Sequence, residues 1–339
     1  MKARRIGAAL VVAFVAAALA AGAASSSPGS RSAKPFIVLV TDVNQLNDHG
    51  FNQLAYQGLL RAERQLGIHG AVYQSPSAAA YIPNLATAAR KGAALVISVG
   101  FDQANAIAAA AKQFPKTHFA IIDVDQASLT GKPKNVEGLV FREQEVGYLA
   151  GYLAGLVEKQ HGGKNTIGSV GGQKQPPVDR YIAGYRAGAT AADPGIKLLN
   201  SYSQDWVDQA KCKQAALDQI SAGANIVFQV AGGCGLGALD AAKQKGVWGI
   251  GVDADQSYLG KEVLTSAMKR VDTSVLATIK QVLAGSFAGG TNSVFSLKNN
   301  GVALGAISPK VPKADVAKVR QIAKEIATGK IKNIPTTVS

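Results

Sequence analysis

The sequence predicts an α/β protein with two doubly wound parallel-sheet lobes, a hinge and an interlobe cleft. Three apolar runs close on an aspartate: FIVLVTD at Asp42, HFAIID at Asp123 and GVWGIGVD at Asp253. Short runs of this kind are typical of strands buried on both faces of a parallel sheet. Strand and helix patterns alternate along the chain and restart near residue 166. The 339 residues are 47% hydrophobic but only 6% aromatic, which suits a core of small aliphatic side chains.

The first set of predicted elements begins at Phe36. Apolar residues recur at helical spacing, as at Tyr81, Leu85 and Ala88, and Pro115 stops a helix. The predicted strands are Phe36–Asp42, Val72–Gln74, Leu95–Gly100, His118–Asp123 and Val136–Phe141, and the helices are Gly50–Leu66, Ala79–Lys91 and Ala104–Phe114.

A helix of small residues, Gln144–Gln160, is suited to close packing and leads into the second set. The predicted strands there are Thr166–Gly171, Lys197–Tyr202, Asn225–Ala231 and Val247–Asp253, and the helices are Val178–Ala191, Val207–Ala222 and Gly237–Gly246. The remaining elements are a connecting strand Val263–Lys269, a helix Asp272–Ala284, a hairpin of Ser293–Leu297 and Ala303–Gly305, and a helix Ala314–Thr328. Because these are left over after two sheets, we expect the chain to cross between the lobes and form the hinge and cleft.

The chain is predicted to divide into a signal peptide, a linker and two lobes. The signal peptide takes residues 1–24, because a basic start and an apolar stretch precede the cleavage signature Ala21-Gly22-Ala23. We expect cleavage near Ala23 and export to the periplasm or the outer membrane face, with no lipid-accepting Cys; an uncleaved anchor is the alternative. The linker takes 25–34. The N-terminal lobe takes 35–145 plus about 270–290, and the C-terminal lobe 146–268 plus about 291–339.

The net charge of +14 falls to +11 without the predicted signal peptide. A basic surplus suits nucleic acid or an anionic membrane, but the lysines are scattered and no Arg-rich or aromatic-basic run occurs. We therefore expect no nucleic-acid partner, and a monomer.

The two cysteines, Cys212 and Cys234, are candidates for a disulfide in an exported protein. They are predicted near a helix start and just after the next strand, positions that neighbour each other in this fold. Two thiols without clustered histidines do not make a zinc site, so no metal is expected.

The aspartates that close the three runs are candidate ligand groups, because ligands of open α/β sheets bind beyond the carboxyl ends of the strands. A helix cap is the alternative for each of them. The loop after the first strand offers Asp48, Phe51 and Asn52, with an aromatic face for a planar ring and an amide for its edge. The alternative is a capping loop with Asp48 as the cap and Phe51 as an inward anchor.

Further candidates lie after other strands. Gly100 allows close backbone approach and Phe101 offers a second wall, whereas Asp102 is interpreted as a helix cap. Lys269 can offset the repulsion among the carboxylates, or it is an ordinary surface lysine. Trp206 suits stacking on a flat ring, or it is a hydrophobic staple at a helix start.

The segment from Gly233 to Ala238 fits G-x-G-x-x-A, with Asp253 eighteen residues after Gly235. This pattern is typical of dinucleotide binding and leaves an exported NAD-dependent oxidoreductase as an alternative. No hydrolytic motif or P-loop is present, and we expect neither an enzyme nor a cofactor.

Several stretches resemble the basic membrane protein family of solute-binding proteins, which includes purine nucleoside receptors of ABC importers. The most specific are VTDVNQLNDHGFNQLAYQGL, NVEGLVFREQEVGYLAGYLAGL and ANIVFQVAGGCGLGALDAAKQKGVWGIGVDADQ, and the resemblance runs from about Phe36 to about Asp272.

The resemblance implies a type I periplasmic-binding-protein fold that captures a nucleoside, with a purine favoured, between its lobes. It implies that Phe51 and Trp206 sandwich the base, and that Asp123, Asp253 and Lys269 hold the ribose hydroxyls. Asp42, Asp48 and Asn52 would take polar edges of the ligand, and Gly232 would allow close backbone approach. The implied partner is an ABC permease in the membrane; a sensory binding protein for a sugar or another small polar solute is an alternative.

Overall fold

The computed structural model describes residues 1, 34–161 and 163–338, so the predicted signal peptide after Met1 and nearly all of the predicted linker lie outside the described residues. The predicted alternation of strand and helix is confirmed. The strands are β1 Phe36–Val40, β2 His69–Tyr73, β3 Leu95–Ser98, β4 His118–Ile122, β5 Val136–Phe141, β6 Thr166–Gly171, β7 Lys197–Tyr202, β8 Ile226–Val230, β9 Trp248–Asp253, β10 Val263–Lys269, β11 Asn292–Phe295 and β12 Val302–Leu304. The helices are α1 Phe51–Leu66, α2 Tyr81–Arg90, α3 Ala104–Gln113, α4 Glu143–His161, α5 Pro176–Ala192, α6 Gln209–Ser221, α7 Gly235–Lys245, α8 Val271–Leu283 and α9 Lys313–Ala327.

The strands form two six-stranded sheets with matching topology. The first has the order β11-β5-β4-β3-β1-β2 and the second β12-β10-β9-β8-β6-β7. Strands β1 to β5 in the first sheet and β6 to β10 in the second follow the same doubly wound order, and all neighbouring pairs among them are parallel. In such a sheet the strand order reverses between β1 and β3, or between β6 and β8, and ligands bind beyond the strand ends at that point.

The predicted hairpin near Asn300 is wrong. Strand β11 pairs in parallel with β5, whereas β12 pairs antiparallel with β10 in the other sheet. The turn signal itself is real, because Asn300 adopts a left-handed φ of 56° after a short 3₁₀ turn. The segments on either side of this turn can each pair with an edge strand of either sheet, β5 or β10. Local patterning does not specify which edge a short strand joins. As a result, residues 292–295 lie in the first sheet, although they were expected in the C-terminal lobe.

Helices cover both faces of each sheet, as a buried parallel sheet requires. In the first sheet α1 and α8 pack together on one face, and α2 and α3 pack on the other. In the second sheet α4 and α5 cover one face, and α6 and α7 cover the other. Each sheet with its covering helices is called a lobe below.

Helices α4 and α5 make the most extensive helix–helix contact in the described part of the chain, as the small-residue pattern of α4 predicted. A methyl group on Gly151 would overlap the carbonyl of Tyr185, and one on Gly188 would overlap the carbonyl of Tyr148. Glycine at these contacts therefore lets the two backbones touch, which sets α5 and its Tyr181 against the inner face of the second sheet.

Among the described residues, no helix combines the length and the apolar character that crossing a membrane would require.

Candidate functional site

A cavity lies between the lobes, beyond the carboxyl ends of the strands of both sheets. Its enclosed volume is about 60 Å³ with the lobes together, which is smaller than the roughly 300–1,000 Å³ that is typical of small-molecule sites. Nine of the eleven ligand-binding residues predicted from the sequence line it: Asp42, Phe51, Gly100, Phe101, Asp123, Trp206, Gly232, Asp253 and Lys269. The other two, Asp48 and Asn52, lie behind the wall.

The strand ends place the carboxylates and the lysine. Asp123 directly follows β4 in the first lobe, and Asp253 is the last residue of β9 in the second. Both have left-handed backbones, with φ of 74° and 62°, an uncommon conformation for residues other than glycine. This shared turn aims both side chains into the cavity, and Lys269 joins them from the end of β10.

Lys269 is the centre of a buried ionic cluster that joins the lobes. Its Nζ donates to both carboxylate oxygens of Asp123, at 2.9 and 2.8 Å, and to Oε1 of Glu143 at 3.3 Å. The Nε of Arg180 donates to the other Glu143 oxygen at 2.6 Å. Lys269 is 2% exposed and Glu143 is 0% exposed, so these charges neutralise one another out of water.

The surroundings keep Lys269 charged. Burial by itself lowers the pKa of Lys269, but the neighbouring charges of Asp123, Glu143 and Asp253 outweigh burial and raise it. Its Nζ also lies over the ring of Phe51, 4.9 Å from the centroid, and over the ring of Tyr181 at 5.5 Å. A cation enclosed by aromatic faces and carboxylates is a fixed positive charge at the cavity wall.

Two other carboxylates sit in less compensated surroundings. Burial raises the pKa of Asp253 to about 7, although the charge of Lys269 opposes the rise, and Tyr181 Oη donates to this carboxylate at 3.3 Å. Burial also raises the pKa of Asp42 to about 7, against hydrogen bonds from Asn52 Nδ2 at 2.6 Å and from the Asn44 backbone N–H at 2.8 Å. Carboxylates of this kind gain from a hydroxyl or N–H donor on a ligand.

The loop before α1 supports the site from behind. The carboxylate of Asp48 accepts from the backbone N–H groups of Gly50, Asn52 and Gln53 at 3.0, 2.8 and 3.1 Å. The amide of Asn52 holds Asp42 and the carbonyl oxygen of Asn44. Asp48 therefore caps α1, which was the alternative interpretation, and Asn52 orients Asp42. In this structure neither side chain faces the cavity.

Aromatic rings enter the cavity from both lobes: Phe51 and Phe101 from the first, Tyr181 and Trp206 from the second. Gly100 adopts a φ of 107°, and a methyl group there would come within 3.3 Å of the Asp42 carboxylate and 3.5 Å of the Phe51 ring. The glycine after β3 thus lets Asp42 and Phe51 share one corner of the wall.

The loop after β8 forms the opposite wall. Gly232 has a φ of 56°, and the backbone N–H of Gly233 donates to Asn44 Oδ1 of the first lobe at 3.4 Å. Beside it, Cys212 and Cys234 form a disulfide with their Cα atoms 5.6 Å apart. The second glycine of the G-x-G-x-x-A pattern in this loop has a packing explanation, because a methyl group on Gly235 would overlap the side-chain amide of Gln229.

Sequence reasoning missed several residues of the site. Asn44 and Gln175 line the cavity from loops, and Tyr181 lines it from a helix face that a periodic pattern assigns to the core. Asp102 also lines it, although it was interpreted as a helix cap. The signal for Glu143 was available: it is an acidic residue two positions after the buried strand β5, near the same strand-end layer as Asp123.

Comparisons with known proteins match most of the chain to solute-binding proteins of ABC transporters. The family model for PnrA-like ABC transporter substrate-binding proteins matches residues 36–336. The chain is 36% identical to the "ABC transporter nucleoside-binding protein BmpA" of Lactococcus lactis, over 89% of this chain and 91% of that protein. It is 34% identical to the "CD4+ T-cell-stimulating antigen" of Listeria monocytogenes, over 98% of this chain and 99% of that protein.

Solved structures agree with the fold. An ABC transporter solute-binding protein from Aeropyrum pernix superposes with a TM-score of 0.81 at 25% identity, covering 89% of this chain and 94% of that one. Another from Conexibacter woesei gives 0.71 at 27% identity, covering 89% and 99%. The expected type I periplasmic-binding fold is confirmed. Because this family binds substrates for transporters and has no catalytic role, the oxidoreductase alternative has no support. The chain belongs to the PnrA-like (Bmp) family of ABC transporter substrate-binding proteins.

Proposed function

We propose that the protein captures a nucleoside with a purine base in the cavity between its lobes and delivers it to the permease of an ABC importer. The observation that carries the proposal is the composition of this one cavity. Carboxylates of both lobes and Lys269 lie in it together with aromatic rings of both lobes. A nucleoside has the matching halves, a flat base and a sugar with two vicinal hydroxyls.

The ribose is assigned to Asp123, Asp253 and Lys269. Hydrogen bonds to charged groups contribute about 1.5–3 kcal/mol each, more than bonds between neutral groups. Both oxygens of Asp123 are bound by Lys269, so a ribose hydroxyl would share that lysine with Asp123 and donate to the free lone pairs. A site built on these bonds rejects a deoxyribose, since buried polar groups would lose their partners.

The base is assigned to Phe51 and Trp206, which line the cavity from opposite lobes. Stacking between aromatic rings buries the apolar faces of the base, and it does not distinguish one base from another. Asp42 and Asn44 lie in the same cavity and offer acceptors and a donor for the edge of the base. The name of the Lactococcus lactis relative, at 36% identity, supports a nucleoside as the ligand class.

Titration calorimetry tests the proposal. We expect adenosine, guanosine or inosine to bind, their 2′-deoxy counterparts to bind far more weakly, and NAD, D-ribose and hexoses not to bind. Asp123→Ala and Asp253→Ala should each weaken nucleoside binding at least tenfold, about 1.4 kcal/mol.

Asp218→Ala is the matched control, because Asp218 is exposed on α6 and is bonded to Gln214. Binding of a hexose without any nucleoside would remove the proposal. Unchanged nucleoside affinity in both cavity variants would show instead that the carboxylates are wrongly assigned.

A further inference from the structure

An exposed carboxylate of the first lobe holds two side chains of the second lobe at the cavity wall. Asp102 lies in the 3₁₀ turn Phe101–Gln103 that follows β3. Its Oδ1 accepts from Gln175 Nε2 at 2.6 Å, and its Oδ2 accepts from Trp206 Nε1 at 3.2 Å. All three residues line the cavity. Asp102 thus bridges the lobes, a role that its interpretation as a helix cap does not explain.

Three contacts hold Trp206, two through its ring and one through its backbone. Its indole N–H binds Asp102, and its ring lies directly on the backbone of Gly172, where a methyl group would overlap the ring atoms. Its carbonyl oxygen accepts from the backbone N–H of Cys234 at 2.8 Å. The contacts with Gly172 and Cys234 lie within the second lobe and persist when the lobes part. The bond to Asp102 is the one that exists only while the lobes are together.

We propose that Asp102 is a positioning residue for ligand capture: by accepting from Trp206 and Gln175 across the cleft, it sets the angle of the Trp206 ring and holds the lobes together. This inference rests on the proposed capture of a ligand between the lobes, but not on the identity of the ligand. A carboxylate suits the role because it offers an acceptor to each of two donors at once.

The physical consequence lies in the rate of release. Bonds that form only in the closed arrangement favour that arrangement and slow the opening that precedes dissociation, whereas they contribute little to the first encounter. Asparagine at position 102 would keep one acceptor and turn an NH₂ group toward the second donor. D102N should therefore lose one of the two bonds without any change in side-chain shape.

Stopped-flow kinetics with a purine nucleoside tests the proposal. We expect D102A to raise the dissociation rate about tenfold and D102N about threefold, with association rates within twofold of wild type. W206F keeps an aromatic face but lacks the N–H donor. In calorimetry the effects of D102A and W206F should therefore be clearly less than additive, since each removes the same bond. Wild-type dissociation in D102A, or fully additive effects in the double variant, would overturn the proposal.

A second measurement keeps this test separate from the ligand assignment. In a W248F background Trp206 is the single remaining tryptophan, and acrylamide quenching reports its exposure without any nucleoside. We expect D102A to increase quenching. Q175A, which leaves the Asp102–Trp206 bond in place, should not. If no nucleoside binds wild type, the proposed function fails while quenching still decides the role of Asp102. If D102A leaves quenching unchanged, the positioning role fails even when nucleosides bind.

Discussion

At the scale of single residues, the cavity holds acidic groups that differ in how well they are compensated. Asp123 is paired with Lys269 through both oxygens, whereas Asp253 receives a single long bond from Tyr181. Asp42 is held by Asn52 and the Asn44 backbone, and no cation among the described residues forms an ion pair with it. Burying the charges of Asp253 and Asp42 is therefore unfavourable, and a ligand with hydroxyl or N–H donors would reduce that cost.

This imbalance predicts how stability changes with pH. Burial raises the pKa of Asp42 and of Asp253 from 3.8 to about 7, so the folded protein binds more protons than the unfolded chain between these values. The stabilising protonation is fully present below about pH 4, and it is lost as pH rises toward 7. In urea unfolding without ligand, the free energy of unfolding contributed by these groups should fall across this window.

The isosteric variant D253N tests whether the ionised Asp253 carboxylate lowers the free energy of unfolding. Because asparagine cannot ionise, we expect D253N to be more stable than wild type at pH 7.5 by at least about 1 kcal/mol, given that one pKa unit corresponds to about 1.4 kcal/mol. The difference should shrink toward pH 4.5. A D253N protein that is less stable at pH 7.5 would contradict the burial argument. D218N, at an exposed position, serves as the control.

At the scale of secondary-structure elements, strand ends and the loops after them carry the site, and the disulfide ties two of these loops together. Cys212 lies in the first turn of α6, shortly after Trp206, and Cys234 lies between Gly232 and the start of α7. The pair is fully buried beside the outer helices of the second lobe. It therefore fastens the loop that carries Trp206 to the loop that carries Gly232.

Removing this link should cost stability. The cysteines are separated by 22 residues, and a loop of that length lowers the entropy of the unfolded chain enough for a stabilisation of about 3 kcal/mol. We expect C212S/C234S to lose about that amount of unfolding free energy in urea.

Thiol-reactive probes provide the independent check on the same bond. They should label the native wild-type protein only after reduction. Prompt labelling of Cys212 without a reductant, together with an unchanged unfolding free energy in the double serine variant, would contradict the link.

At the scale of the whole molecule, direct hydrogen bonds between the lobes surround the cavity. Gly233 donates to Asn44, Gln256 Nε2 donates to the carbonyl of His49 at 3.1 Å, and Lys269 donates to Asp123. A ligand held inside can enter only when some of these contacts part. Ligand contacts with both lobes then favour the joined arrangement. The bound and the free protein therefore differ in how far the lobes are apart.

Small-angle scattering tests this coupling. We expect a saturating purine nucleoside to reduce the radius of gyration of the wild-type protein, because it shifts the population toward joined lobes. D253A at the same nucleoside concentration should show a smaller reduction. An identical radius with and without nucleoside, at a concentration where calorimetry shows binding, would contradict coupling between capture and closure.

The pattern of residues was sufficient for the doubly wound lobes, because buried parallel strands and amphipathic helices leave strong local signals. It was also sufficient for most of the cavity wall, since Asp123, Asp253 and Lys269 each lie at the carboxyl end of a strand, and the carboxyl ends of both sheets face the cavity. The pattern of residues failed where a strand or side chain has its bonding partner far away in the sequence. The segment around Val294 had two possible sheet edges, and Asp102 looked like a cap until its two donors from the other lobe were placed.

Local periodicity and strand direction are enough to predict the type and order of the elements and the layer in which the acidic groups lie. Which of those groups line the cavity depends on contacts between distant parts of the chain. Asp48 and Asn52 turn toward the backbone and toward Asp42, while Tyr181 and Asp102 line the cavity from other elements and Glu143 bonds Lys269 behind its wall. The physical reason is that a side chain's orientation follows from the partners that pack around it, and here those partners come from both lobes.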